Sequence, residues 1–203
     1  MPLIVLVWVV RRWLQIVRAD AGAGGEFFNG LLKDALNEKG LESMVSGLAL
    51  QPTLLSGLAG EKFDLVGANE QGKLIPDRGW AGFFQYAENQ KSGRQLELSE
   101  LQIETESGDS VEIIKDFING SVGNVPASIQ RMKDGTGLSV ISVEWSEGSR
   151  SFTLNTKSIS ETETMEIARQ IQSQYRSLPN QGWQKPYRPD TQKPLHRVIT
   201  QAN

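Results

Sequence analysis

Carboxylates are the commonest side chains in this sequence that could do acid–base chemistry, and they cluster in one stretch. Between residues 95 and 118 there are seven acids and one lysine, a local net charge of −6. A pair such as Glu104 and Glu106 would serve glycoside hydrolysis only across a cleft about 5–10 Å wide. The spacing matches no calcium loop, and the alternation of acids with apolar residues predicts a solvated sheet face.

Other catalytic groups are scarce. The single histidine, His196, lies near the carboxyl end and the chain has no cysteine, which excludes His-based triads, multi-histidine metal sites, thiolate chemistry and disulfides. The glycine-rich run 21–25 lacks the dinucleotide fingerprint, because Phe27 stands where its third small residue belongs. We expect no catalytic residue, no metal and no cofactor. A carboxylate-dependent hydrolase is a distant alternative.

The amino-terminal segment, residues 2–17, is apolar but interrupted. Nine apolar residues precede Arg11 and Arg12, and the apolar run resumes at Trp13. A membrane span needs about 20 residues, and a secretory signal carries its positive charge before the apolar stretch. The β-branched content predicts a buried strand. Two alternatives stay open: a membrane-surface anchor with its tryptophans and arginines at the headgroups, and a strand exchanged into a neighbouring subunit.

The carboxyl-terminal arm, residues 179–203, has a different composition. It carries four prolines and a net charge of +3. Prolines prevent a long helix and favour extended chain. Aromatic and basic residues interleaved in such a chain are enriched at interfaces, so we predict partner binding, with a disordered tail as the alternative. The predicted partner-binding residues of the two ends are Trp8, Arg11, Arg12, Trp13, Trp183, Tyr187, Arg188 and Arg197.

Between the two ends, the local signals agree best in the last part of the body. The segments Leu138–Trp145 and 150–155 alternate apolar and polar residues, and the glycine-containing run 146–149 between them predicts a hairpin. Ser160 and Glu163 then form a capping-box pattern, followed by apolar residues at helical spacing. We predict strand, turn, strand and capped helix.

This segment carries a family resemblance. The residues concerned are Val140–Trp145, Glu147–Gly148, Phe152–Leu154 and Ile167–Arg169. With them, residues 138–173 resemble the closing segment of the sigma-factor-regulatory and lipoprotein-carrier-like half-barrel proteins of bacterial envelopes. The resemblance implies a curved antiparallel sheet packed by helices, and a sensor or carrier rather than a catalyst.

The first half of the body predicts helices followed by strands. Residues 26–50 have helical periodicity with a break near Gly40, and Phe63–Val66 predicts a short strand. Turn residues at 75–79 precede an aromatic stripe, Trp80, Phe84 and Tyr86, which we interpret as hydrophobic core on one strand face.

Two further patterns follow the aromatic stripe. Apolar residues alternate at Leu96 and Leu98 and then in the opposite phase from Leu101, which predicts a bulge or corner at 99–100. Residues 109–118 then predict a short capped helix, with a strand as the open alternative.

Together these patterns predict an α+β protein with a mainly antiparallel sheet packed by helices. We divide the chain into an apolar segment and joint (1–25), a globular domain (26–178) and the extended basic arm (179–203). A net charge of −3 over 203 residues, with an isoelectric point near 5.3, disfavours nucleic acid.

The predicted function is non-enzymatic binding or assembly. The first version is a membrane- or envelope-associated sensor or carrier-like domain, which contacts the membrane surface through residues 2–17. The alternative is a structural subunit of a large assembly, a virus or a secretion machine, that uses strand exchange and the arm. A protein partner or a second copy of the chain is the expected ligand.

Overall fold

A seven-stranded antiparallel sheet packed by helices forms the body of the protein in a computed structural model, which confirms the predicted α+β class. The structure describes residues 36, 39–58, 63–103 and 117–179. Residues 1–25, and 180–203 of the arm, lie outside the described residues. Among the described residues, no helix is both long enough and apolar enough to cross a membrane.

The strands follow the order β1-β2-β3-β7-β6-β5-β4 across the sheet. All neighbouring pairs are antiparallel. The elements are α1 (Leu41–Ser46), a 3₁₀ turn (Leu55–Gly57), β1 (Asp64–Ile75), β2 (Gly79–Asn89), β3 (Arg94–Gln102), β4 (Gly120–Val122), β5 (Val125–Lys133), β6 (Ser139–Glu147), β7 (Arg150–Lys157) and α2 (Glu161–Ser177).

One face of the sheet, the inner face, carries the main core. Leu98, Leu154 and Val143 lie side by side on β3, β7 and β6 and are fully buried. Helix α2 packs on this face through Ala168, Ile171 and other apolar residues of the same stripe. Burying this stripe stabilises α2 more than helix propensity does.

The predicted hairpin and capped helix are confirmed. Strands β6 and β7 pair in register, and Gly148 in their turn has φ +60°. At the start of α2 the Glu163 amide donates to the Ser160 hydroxyl, while the Ser160 amide donates to the Glu163 carboxylate. This capping box satisfies two amides that the first helical turn leaves without partners.

Strand β1 is longer than the predicted strand at Phe63–Val66. It extends to Ile75, and pairing irregularities at Val66 and between Gln71 and Leu74 interrupt its alternation. Each irregularity moves later side chains to the other face, so the period-2 pattern is lost in the sequence while pairing continues. Strands β4 and β5 are also absent from the sequence-based prediction.

The predicted bulge or corner at 99–100 is wrong. Strand β3 pairs without interruption from Arg94 to Gln102. Glu100 and Gln102 occupy buried inner positions after Leu96 and Leu98, and Leu101 lies on the outer face. The apparent phase change arose because two polar residues occupy core positions.

The aromatic stripe on β2 divides between two apolar clusters. Trp80 packs with the cluster of Met44, Leu48 and Phe83, while Phe84 and Tyr86 pack with Val66. The Trp80 backbone bonds to the segment after α1, since Ala49 N donates to Trp80 O and Trp80 N donates to Gly47 O.

The helical prediction for 26–50 is confirmed for Leu41–Ser46, while residues 26–35, 37 and 38 lie outside the described residues. Of that region, α1 spans Leu41–Ser46 after the break at Gly40, and the chain leaves the helix before Leu48. The helix predicted within 109–118 falls almost wholly outside the described residues.

Gly79 generates a prediction, because it lies where the segment after α1 meets β2. Its φ is +105°, and a Cβ there would lie 2.2 Å from the Gly47 carbonyl oxygen. We expect Gly79→Ala to lower the free energy of unfolding by more than about 3 kcal/mol, through backbone strain and this clash. Chemical denaturation measures the change.

Gly93→Ala is the matched control for this prediction. Gly93 also has positive φ, +68°, but a Cβ there would meet nothing within 4 Å. We expect a loss of about 1 kcal/mol from strain alone. Equal losses in the two variants would show that the contact between Gly79 and Gly47 places no constraint on the fold.

Candidate functional site

A buried ion pair lies on the inner face where β3 and β7 adjoin. Arg150 Nη1 donates to Glu100 Oε2 at 3.3 Å, and both side chains are 0% exposed. Arg150 Nη1 also donates to the Gln51 carbonyl oxygen at 2.6 Å, and the guanidinium lies 5.0 Å from the centre of the Tyr175 ring. Strands β3 and β7, helix α2 and the segment that contains Gln51 therefore meet at this pair of side chains.

The pair holds a segment that we call the strap, Gln51–Leu58, which leads from α1 toward β1. Thr53 N donates to Glu100 Oε1 at 2.9 Å, and the Thr53 hydroxyl donates to the same oxygen. The Thr53 carbonyl accepts from Gln85 Nε2 at 2.8 Å. All three polar groups of Thr53 are thus bonded to side chains of the sheet.

The next two strap amides are bonded in the same way. Leu54 N donates to Gln174 Oε1 on α2 at 3.2 Å, and Leu55 N donates to Gln85 Oε1 at 3.1 Å. The Leu55 side chain is 2% exposed and belongs to the main core. From Gln51 to Leu54 the strap is irregular backbone, and through Leu55 its hydrogen bonds come from long polar side chains instead of a neighbouring strand.

The sequence sets this arrangement through strand alternation. Gln85, Glu100 and Arg150 occupy buried inner positions on β2, β3 and β7, where the neighbouring inner positions of each strand include buried apolar residues. Pro52 lacks an amide and restricts its own backbone, so it favours extended chain at this point. The strap therefore crosses the sheet where polar side chains can reach its backbone.

Burial controls the electrostatics of the site. It raises the pKa of Glu100 to about 8, against the opposing effects of Arg150 and of the Thr53 amide. Burial also lowers the pKa of Arg150, against the attraction of Glu100. A charge in such a site is stable only while its partner and its hydrogen bonds are in place.

The arrangement is suited to holding a chain segment. Glu100 and Arg150 present no surface to solvent, so neither can touch a substrate while the strap is in place. In this structure Glu100 accepts from the Thr53 amide and hydroxyl, and Arg150 donates to the Gln51 carbonyl oxygen. Hydrogen bonds to the backbone of an extended segment also give affinity when a protein binds a peptide as an added strand.

Two further carboxylates lie on the outer face. Burial raises the pKa of Glu97 on β3, which accepts from Asn155 Nδ2 at 3.2 Å, and burial raises the pKa of Glu144 on β6. Among the described residues, no group of three or more His, Asp or Glu could hold a metal ion. The predicted solvated acidic face is therefore wrong for Glu97 and Glu100, which are partly and fully buried.

None of the predicted site residues falls within the part of the chain that the structure describes. This applies to the partner-binding residues Trp8, Arg11, Arg12, Trp13, Trp183, Tyr187, Arg188 and Arg197, and to Glu104 and Glu106, which only the hydrolase alternative would use. The single histidine, His196, also lies outside the described residues. The site that the structure shows, built on Glu100, Arg150, Gln85 and Thr53, was missed. Its signal in the sequence was the apparent phase change at 99–100.

Comparisons with known proteins found no match among family models, among curated proteins or among solved structures. The half-barrel resemblance of residues 138–173 remains a prediction.

The raised pKa of Glu100 makes stability depend on pH. Its folded pKa lies above the ordinary value of 4.5, so the folded protein holds a proton that the unfolded chain releases. This contribution to the free energy of unfolding is fully present below about pH 4.5 and is lost as pH rises through 8. We expect stability to fall between pH 5 and pH 8, and Glu100→Gln to reduce the slope.

Denaturation at several pH values measures this slope. Glu97 and Glu144 also have raised pKa values, so they too lower stability as the pH rises. Both residues stay in the variant, and part of the slope therefore remains. Glu161 and Glu163 have lowered pKa values, so they raise stability as the pH rises, and they do so at lower pH. Glu166→Gln, on the exposed side of α2, is the control. An unchanged slope in Glu100→Gln would contradict the assignment.

Proposed function

We propose that this chain is a non-enzymatic binding or assembly protein whose terminal segments attach it to a partner or a membrane surface. The observation that carries the proposal is the closed Glu100–Arg150 site. Glu100 and Arg150 are both fully buried, and their polar atoms form hydrogen bonds with the strap, so they hold the fold.

The composition of the two ends supports the attachment role. Residues 2–17 combine apolar and β-branched residues with two tryptophans and adjacent arginines, and residues 179–203 are basic and proline-rich. Tryptophan and arginine side chains suit both membrane headgroups and protein interfaces. The first version of the proposal is a sensor or carrier-like domain at a membrane or cell envelope, in keeping with the half-barrel resemblance.

One observation favours the alternative, a structural subunit of a large assembly. Strand β1 lies at the edge of the sheet, is 12 residues long, and within the described residues pairs only with β2. Its regular stretch, Gly67–Gln71, lies between two irregularities. An edge strand can accept an added strand from another chain, which is the role the alternative gives to residues 2–17.

Liposome flotation separates the two versions. The full chain is compared with a version that starts at Ala19, and with a version that ends at Pro179 as the matched control for loss of a terminus. We expect the full chain and the version ending at Pro179 to float, and the version starting at Ala19 to stay in solution, because residues 2–17 supply the apolar surface. Light scattering sizes all three.

Two outcomes would change the proposal. If no version floats, but the full chain forms defined oligomers that removal of residues 1–18 abolishes, the assembly version replaces the membrane version. If no version floats and all three are monomers, the attachment role of the amino-terminal segment is refuted.

A further inference from the structure

The strap is bound to the sheet as a peptide ligand is bound to a receptor. Its contacts with Glu100, Gln85, Gln174 and Arg150 are made by side chains of the sheet and of α2, and they fall on four strap residues, Gln51, Thr53, Leu54 and Leu55. Most of these contacts go to strap backbone, whose amides and carbonyls any extended segment would present. The same side chains could therefore hold an equivalent segment from another chain.

Two contacts add sequence preference. The Thr53 hydroxyl donates to the Glu100 carboxylate, and this bond selects threonine or serine. Two residues later, Leu55 enters the main core, which selects a large apolar side chain. The preferred ligand is thus an extended segment with a hydroxyl residue followed two positions later by leucine. Each copy of this chain carries such a segment.

We propose that the array of Gln85, Glu100, Arg150 and Gln174 is a peptide-binding site, filled in cis by the strap and able to accept the strap of a second copy. Exchange of an identical segment reproduces every contact, so the two arrangements differ mainly in entropy. The tethered strap has the advantage of a high effective concentration, which keeps the single copy closed. Weakening the strap while leaving the array intact should open the site.

The experiment uses a labelled peptide with the sequence of residues 49–58 and measures its binding by fluorescence anisotropy. The protein variant Thr53→Val loses the hydroxyl bond of its own strap but keeps the array. We expect this variant to bind the peptide about tenfold more tightly than it binds the same peptide carrying Thr53→Val, because one buried hydrogen bond supplies a ratio of this size. The wild-type protein should bind neither peptide measurably.

Two control proteins test whether peptide binding depends on the array. Ser56→Ala changes an exposed strap residue and should behave as the wild type. The double variant Thr53→Val with Glu100→Gln weakens both the strap and the array, and should show a smaller preference for the threonine peptide, because an amide oxygen accepts more weakly than a carboxylate oxygen. The proposal is overturned if folded Thr53→Val binds neither peptide or binds both equally well.

If Thr53→Val does not fold, a refolding experiment on the wild-type protein tests the exchange of the strap. It is refolded from denaturant at rising protein concentration, with and without excess peptide, and its mass is measured by light scattering. Dimers that the peptide suppresses support exchange of the strap. Monomers at every concentration overturn it. The proposal goes beyond attachment through the chain ends, and the flotation result has no bearing on it.

Discussion

The structure depends on one constraint: the strap passes through buried positions at Pro52, Thr53 and Leu55, and its backbone there must find hydrogen-bond partners. A strand would take its partners from a neighbouring ladder, but the strap takes them from Glu100, Gln85 and Gln174. Glu100 is then a buried carboxyl group, and its ionised form requires Arg150 beside it. Removing one partner of such a buried pair typically costs about 3–5 kcal/mol, because the remaining charge is uncompensated.

The same constraint links the two halves of the described chain. Arg150 begins β7 and bonds to Gln51, so the strap that follows α1 is held by the segment that ends in α2. Tyr175 on α2 lies against the Arg150 guanidinium and donates its hydroxyl to the Glu147 carbonyl oxygen. The apolar core alone would allow several placements of an irregular segment. The directed hydrogen bonds select one placement.

The sequence predicted the elements whose signals are local, and it missed those that depend on distant residues. The hairpin of β6 and β7 and the capping box at Ser160 follow from neighbouring residues, and both were found. Glu100 was interpreted as a surface acid, because alternation shows which face a residue occupies but not what buries that face. Its partners Thr53 and Arg150 lie 47 and 50 positions away, beyond any local pattern.

Hydrogen exchange at the strap amides tests the central claim most directly. The amides of Thr53, Leu54 and Leu55 donate to side chains instead of a strand. If those bonds hold the strap, the three amides should exchange nearly as slowly as the core amides of β3, at rates set by global unfolding. Exchange as fast as at the exposed turn 90–93 would show that the strap opens freely and that the polar array does not hold it.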